Sequence, residues 1–222
     1  MHCSAKEVYQ KLLKLHGPQG WWPLFHLEKD GGYHIGDYSY PRNESEKFEV
    51  CVGAILTQNT TFKNVEKCLA LLHQNGICDP SSLLKASSQL VIESIRPSGY
   101  FNQKFKKLLI FSEFFISLKQ ETPSREQLCG LWGIGPETAD SILLYAYEVP
   151  IFVVDAYTQR IFSHLGFVQG SFNYSRLQSY FMDQLGSDVE LFQEYHALIV
   201  AHAKSFYARK PYGASCPLLN KY

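Results

Sequence analysis

Two groups of residues in the middle of the chain have types and spacing that could do chemistry. The first is Gly133-Ile134-Gly135, with Thr138 just beyond it. Glycines can take positive φ and bring backbone N–H groups to a surface that a Cβ would obstruct. Pro136 suits the first position of a helix running through Thr138, Ile142, Leu143 and Ala146. Backbone donors at a helix start, with no bulky side chain in front of them, make a phosphate-binding site. The second is Asp155, which ends the apolar run Ile151-Phe152-Val153-Val154. A carboxylate there is either a helix N-cap, with Thr158 three residues on, or a catalytic group. The cap is the more general use of such a residue. The two are compatible, because a helix N-terminus favours negative charge.

The elements that must position these groups are helical. Ser124 and Gln127 have the spacing of a capping box, which opens a helix that Cys129-Gly130-Leu131 closes just before the glycines. Residues 5–16 are amphipathic, with Val8, Leu12, Leu13 and Leu15 on or near one face. Gly17-Pro18-Gln19-Gly20 breaks that pattern ahead of Trp21-Trp22-Pro23-Leu24-Phe25, and residues 26–45 are polar and rich in Gly and Tyr, which predicts a loop. From Glu46 the spacing of Phe48, Cys51, Val52, Ile55 and Leu56 predicts a helix ending at Thr57-Gln58-Asn59-Thr60-Thr61. A second helix carries Phe62, Val65, Leu69 and Leu72 inward and stops at Gly76. Further helices fit 81–85, 87–95 and 103–118. Strand-type alternation is nearly absent, so the predicted class is all-α.

Composition narrows the function classes. The 222 residues are 45% hydrophobic and carry a formal net charge of zero, so a core can be buried but no global basic field announces a nucleic-acid partner. Local clusters remain: Lys104, Lys106 and Lys107, and Lys204, Arg209 and Lys210. Each is either a phosphate contact or a solvated helix face. No apolar run has signal-peptide or membrane-spanning length, which predicts a cytoplasmic chain. The six cysteines are scattered, with no CxxC pair. Cys51, Cys68 and Cys129 fall in apolar helical patterns and are predicted to be buried, reduced thiols.

The pattern L-x-G-I-G-x-x-T-A at Leu131–Ala139, followed by Val153-Val154-Asp155, resembles the helix-hairpin-helix and catalytic aspartate of the endonuclease III superfamily of DNA glycosylases. Two upstream turns are similar as well. Leu56-Thr57-Gln58-Asn59-Thr60 matches the turn from which a glutamine enters the duplex and fills the gap left by a flipped base; Gln58 is the matching residue. Ile95–Lys107 resembles the family's G-x-x-x-x-K turn at Gly99 and Lys104. The resemblance implies two helical lobes with a DNA-binding cleft between them: 46–148 as a helical barrel ending in the hairpin, and 1–45 plus 149–222 as the second lobe. It also implies backbone contacts from Gly133, Ile134, Gly135, Thr138, Lys104, Arg209 and Lys210, and catalysis by Asp155.

Two departures refine that expectation. Where members with lyase activity carry a lysine that forms a Schiff base, this chain has Glu137, and no lysine stands between Gln120 and Arg160. A carboxylate cannot form an imine, which predicts a monofunctional, base-releasing hydrolase. The tail Ala208-Arg209-Lys210-Pro211 resembles the segment that precedes the cysteines of an iron–sulfur cluster, but only Cys216 is a cysteine; Phe206, Gly213 and Tyr222 occupy the other matching positions. One thiolate cannot hold such a cluster, so no cofactor and no metal are expected. The lost cluster, the hairpin glutamate and the Trp-Trp-Pro segment together resemble the 3-methyladenine glycosylase branch. An alkylated purine already carries positive charge, departs without a general acid, and is attracted to aromatic faces, which makes Trp21, Trp22 and Phe48 the candidate pocket walls. The expected protein is a monomer acting on damaged double-stranded DNA at the nucleoid. The alternatives are a glycosylase for mismatched or oxidised bases, and a non-catalytic helix-hairpin-helix DNA-binding protein.

Overall fold

A computed structural model describes residues 4–27, 29–167 and 173–219; Cys3 and Tyr222 lie outside the described residues. Among the described residues the regular structure is entirely helical, and none of the helices is long and apolar enough to cross a membrane. The chain divides into two compact units, Met1–Trp21 with His34–Tyr38 and Val149–Tyr222, and Trp22–Tyr33 with Ser39–Glu148.

The second of these units carries the hairpin. Its helices are α2 (Glu44–Leu56), α3 (Phe62–Gln74), α4 (Pro80–Lys85), α5 (Ser88–Ile95), α6 (Phe101–Ser117), α7 (Arg125–Gly130) and α8 (Pro136–Ala146). Helix α2 starts two residues before the predicted Glu46, because Asn43 accepts a hydrogen bond from the Glu46 amide and so caps the first turn. Helix α2 is buried on almost every side and packs on α8 and α6. Phe48 is fully buried and meets Phe115 edge-on at 5.2 Å, with Phe111 at 6.4 Å. Gly53 lies directly under the indole of Trp22, whose Nε1 would sit 2.9 Å from a Cβ added there. Trp22 also meets Phe62 and Tyr145 edge-on.

The other unit is built from α1 (Ala5–His16), α9 (Ala156–His164), α10 (Tyr174–Leu185) and α11 (Val189–Phe206). Helix α11 packs on α1 and α9. The apolar run before Asp155 supplies its centre: Phe152 stacks on Phe181 at 4.0 Å and meets Phe192 and Tyr195 edge-on, and its carbonyl accepts from Gln178 Nε2.

The expected boundary at residue 46 differs from the partition. Trp22–Tyr33 and 39–45 belong with the hairpin unit, and two buried carboxylates account for the split. Glu49 accepts from the Phe25 amide at 2.6 Å and ties that stretch to α2. Glu194 accepts from the Gln19 amide at 2.7 Å and from the Tyr38 hydroxyl at 3.0 Å, tying the flanking stretches to α11. The neighbours Trp21 and Trp22 are thereby assigned to different units.

Candidate functional site

The hairpin forms as its residue types dictate. Ser124 and Gln127 make the capping box of α7. Gly133 has φ +83°, where a side chain is strained, and the aliphatic stem of Lys107 lies against the position its Cβ would occupy. Gly135 does not share that conformation: it is the extended N-cap of α8 at φ −95°, followed by Pro136 in the first turn. The first turn of α8 has no side-chain cap, so its N–H groups and the positive end of its dipole face outward over two exposed glycines. The Ile134 amide donates to the Leu131 carbonyl at 3.1 Å and its side chain is buried, so Ile134 braces the hairpin from within. Glu137 is exposed in the first turn of α8. Trp132 was not anticipated from the sequence: it is 47% exposed, with the Lys106 ammonium 4.3 Å from its ring centre.

Gln58 sits on this hairpin. Its Nε2 donates to the Gly133 carbonyl at 3.1 Å and to Thr138 Oγ1 at 2.9 Å, and its Oε1 accepts from Lys107 Nζ. Burial lowers the Lys107 pKa. Beneath them Arg125 holds the fully buried Asp140 through two bonds, Nε to Oδ1 at 2.6 Å and a terminal nitrogen to Oδ2 at 3.0 Å, joining α7 to α8.

Lys104 is not a backbone contact for DNA. It is 1% exposed, and its Nζ donates to the carbonyls of Leu56 and Ser98 at 2.8 and 2.7 Å, with burial pushing its pKa down to about 8. It ties the end of α2 to the turn before α6. Phe48 is likewise core rather than pocket wall, and Trp22, 6% exposed, has its faces committed to packing. Periodicity marks such positions as apolar or charged but says nothing of which neighbour covers them.

Asp155 is the N-cap of α9. Its Oδ1 accepts from the Thr158 amide and from Thr158 Oγ1, both at 2.7 Å. Its Oδ2 lies 3.9 Å from His196 Nε2 on α11. Burial lowers the His196 pKa, and the Asp155 charge opposes that shift in part. His196 was missed from the sequence, where it is one histidine in an apolar helix; only the packing of α9 on α11 brings it to the carboxylate. In the same unit Trp21 is half-buried, with Lys204 Nζ 5.6 Å from its ring centre.

The residues of the tail do not fit a four-iron cluster. Cys216 is buried and its Sγ lies 3.1 Å from His202 Nε2, while His202 Nδ1 meets His16 Nε2 at 3.0 Å. The Tyr207 ring lies 2.9 Å from the Cβ position of Gly213, and Phe206 packs on His202. Arg160 holds this loop, donating to the Tyr207 carbonyl at 2.9 Å with its guanidinium 4.2 Å over the Tyr212 ring. Arg209 and Lys210 are exposed. Cys51 and Cys68 are buried as expected, but Cys129 is only half-buried, at the end of the short helix α7.

The described residues combine an all-helical fold with a glycine hairpin, a helix start without a side-chain cap and an aspartate at a helix N-cap, as the resemblance to DNA glycosylases implies. Residues 52–185 match the family described as "HhH-GPD superfamily base excision DNA repair protein". The chain belongs to that superfamily of DNA glycosylases. A protein of Methanocaldococcus jannaschii provisionally described as a DNA repair glycosylase is 36% identical over 96% of this chain and 92% of its own. Endonuclease III of Thermotoga maritima is 30% identical over 59% of this chain and 62% of its own. Among solved structures, H. pylori 3-methyladenine DNA glycosylase bound to 1,N6-ethenoadenine aligns with a TM-score of 0.71 and 26% identity, covering 91% of this chain and 98% of that one. An endonuclease III–DNA complex aligns with a TM-score of 0.72 at 20% identity over 96% and 91%.

Proposed function

We propose that the protein is a monofunctional DNA glycosylase that hydrolyses the N-glycosidic bond of an alkylated purine, of the 3-methyladenine type, in double-stranded DNA. The observation that carries the reading is Asp155: one carboxylate oxygen is fixed by Thr158 while the other faces His196. As the C1′–N bond lengthens the sugar gains oxocarbenium character, and a fixed carboxylate beneath it stabilises that charge and orients water. The target base leaves the stack at a cost of a few kcal/mol, smallest for a damaged base. The hairpin N–H groups around Gly133 and Gly135 grip a phosphate, Arg209 and Lys210 add contacts, and Gln58 leaves its bonds to the hairpin to fill the gap. Glu137 in place of an amine leaves no nucleophile for an imine. The protein works as a monomer on nucleoid DNA, without a metal cluster in its tail.

Support for the alkylated substrate comes from the likeness to the H. pylori enzyme over nearly the whole of both chains, from the half-exposed Trp21, and from a leaving group that needs no acid. A second reading, release of an uncharged mismatched or oxidised base, is favoured by His196, which stands where a proton could be passed. Release of 3-methyladenine, uracil and oxidised purine from matched duplexes separates them. The expected result is selective release of the methylated base, with no covalent adduct after borohydride treatment; an adduct would overturn the monofunctional reading.

A further inference from the structure

Glu49, His73 and Cys78 converge although α2, the last turn of α3 and the segment after it contribute one each. One donor atom from each, an oxygen, a nitrogen and a sulfur, lies within 4.8 Å of the other two. Glu49 is 3% exposed and Cys78 is 7% exposed, while the His73 side chain retains 26%. We propose that these three residues form a binding site for a zinc-class divalent cation, a structural lock between α2, the end of α3 and the Trp22–Phe25 segment.

The donor set suits that cation. Thiolate, imidazole and carboxylate together select a borderline-soft metal over calcium or magnesium, which prefer oxygen alone. Bonds of about 2.0–2.3 Å place tetrahedral ligands about 3.3–3.8 Å apart, so closing the present cluster takes shifts of about 1 Å. The surroundings already hold the ligands in place. Glu49 Oε1 accepts from the Phe25 amide at 2.6 Å, which leaves Oε2 directed at His73 Nε2, 2.7 Å away. The Phe25 ring stacks on the imidazole at 4.5 Å and 10°, fixing its plane. A hydrogen-bonded carboxylate and a braced imidazole are the supporting contacts that metal sites require. A buried carboxylate needs positive charge beside it; a dication meets that need with His73 as a neutral ligand. The exposed edge of His73 gives the ion a way in, and water completes the fourth position.

The competing account is a plain Glu49–His73 clasp with Cys78 as a bystander. The full-length chain, stripped with chelator, should take up one equivalent of cobalt(II) with a thiolate-to-cobalt absorption band in the near ultraviolet, bleached by zinc, and zinc should raise Tm. Cys78→Ser should lose the band and the zinc-induced shift while keeping the metal-free Tm and circular dichroism of the parent. Glu49→Gln should weaken uptake at least tenfold. No band in the parent means the clasp alone and overturns the site. So does a band undiminished in Cys78→Ser, which would place the metal on another thiol.

Discussion

The two oxygens of Asp155 have different surroundings, and that division makes its substitution informative. Asn at this position keeps an oxygen to accept from the Thr158 amide and hydroxyl, so the cap of α9 survives while the charge is lost. Asp155→Asn should lower single-turnover base release by about 10²–10³-fold or more with DNA affinity changed less than about threefold; single-turnover release and a binding titration on one duplex check both. Normal release would remove Asp155 from the chemistry. His196, pushed below its ordinary pKa by burial, lies near enough to Asp155 for its charge state to be felt there, and we propose that it acts as a positioning group. The neutral ring stands 3.9 Å from Oδ2, and protonation would place a cation beside the carboxylate and draw it away from the substrate. The rate should therefore fall on the acid side below pH 6.5, and His196→Gln should flatten that limb with little change in KM. A pH–rate profile of the two proteins decides it.

The hairpin is held by contacts that its own sequence does not contain. Gln58 and Lys107 come from the turn after α2 and from α6, and together they fix the Gly133 carbonyl and Thr138. Arg125 and Asp140 do the same between α7 and α8, with the carboxylate fully buried and the arginine side chain about one-third exposed. Removing the arginine takes a bidentate, charge-assisted contact away from a fully buried carboxylate. Arg125→Met should therefore cost about 3 kcal/mol, at the low end of the usual range because the arginine is partly solvated, and weaken DNA binding as the hairpin loosens. Arg125→Met combined with Asp140→Asn should recover much of that stability. Urea unfolding of these two variants and of Asp140→Asn alone, each against the parent, measures the coupling.

In the unit built on α11, burial pushes three histidines below their ordinary pKa. His202 is lowered to about 4 by burial, with His16 adding to the shift, and His16 and His196 are lowered by burial as well. Their folded values lie below the unfolded value near 6.5, so as pH falls the unfolded chain takes up protons first. Stability is thus complete above about pH 6.5 and falls on acidification, with His202 contributing up to about 1.4 kcal/mol per pH unit down to about pH 4. Unfolding free energies from pH 7.5 to 4.5 should show this slope, and His202→Gln should reduce it by close to one proton. A flat profile would mean that His202 is accessible to solvent.

Helix periodicity, the capping-box spacing of Ser124 and Gln127 and the glycine hairpin were legible in the sequence because they depend on residues within a few positions of one another. The pattern Ser124–Gln127, Pro136 after Gly135, and Thr158 after Asp155 each became the hydrogen bond or turn that local backbone geometry demands. The all-α class followed from the same short-range signals. Tertiary structure decided the rest. Lys104, Phe48 and Trp22 were sorted into the core by helices far away in the chain, and the adjacent Trp21 and Trp22 were divided by Glu194 and Glu49. Likewise, His196 meets Asp155, and Glu49 meets His73 and Cys78, only through helix packing. Local rules reach about one helical turn; a side chain's partner across a core is set by which helices bury their faces together, which a pattern of residue types does not encode.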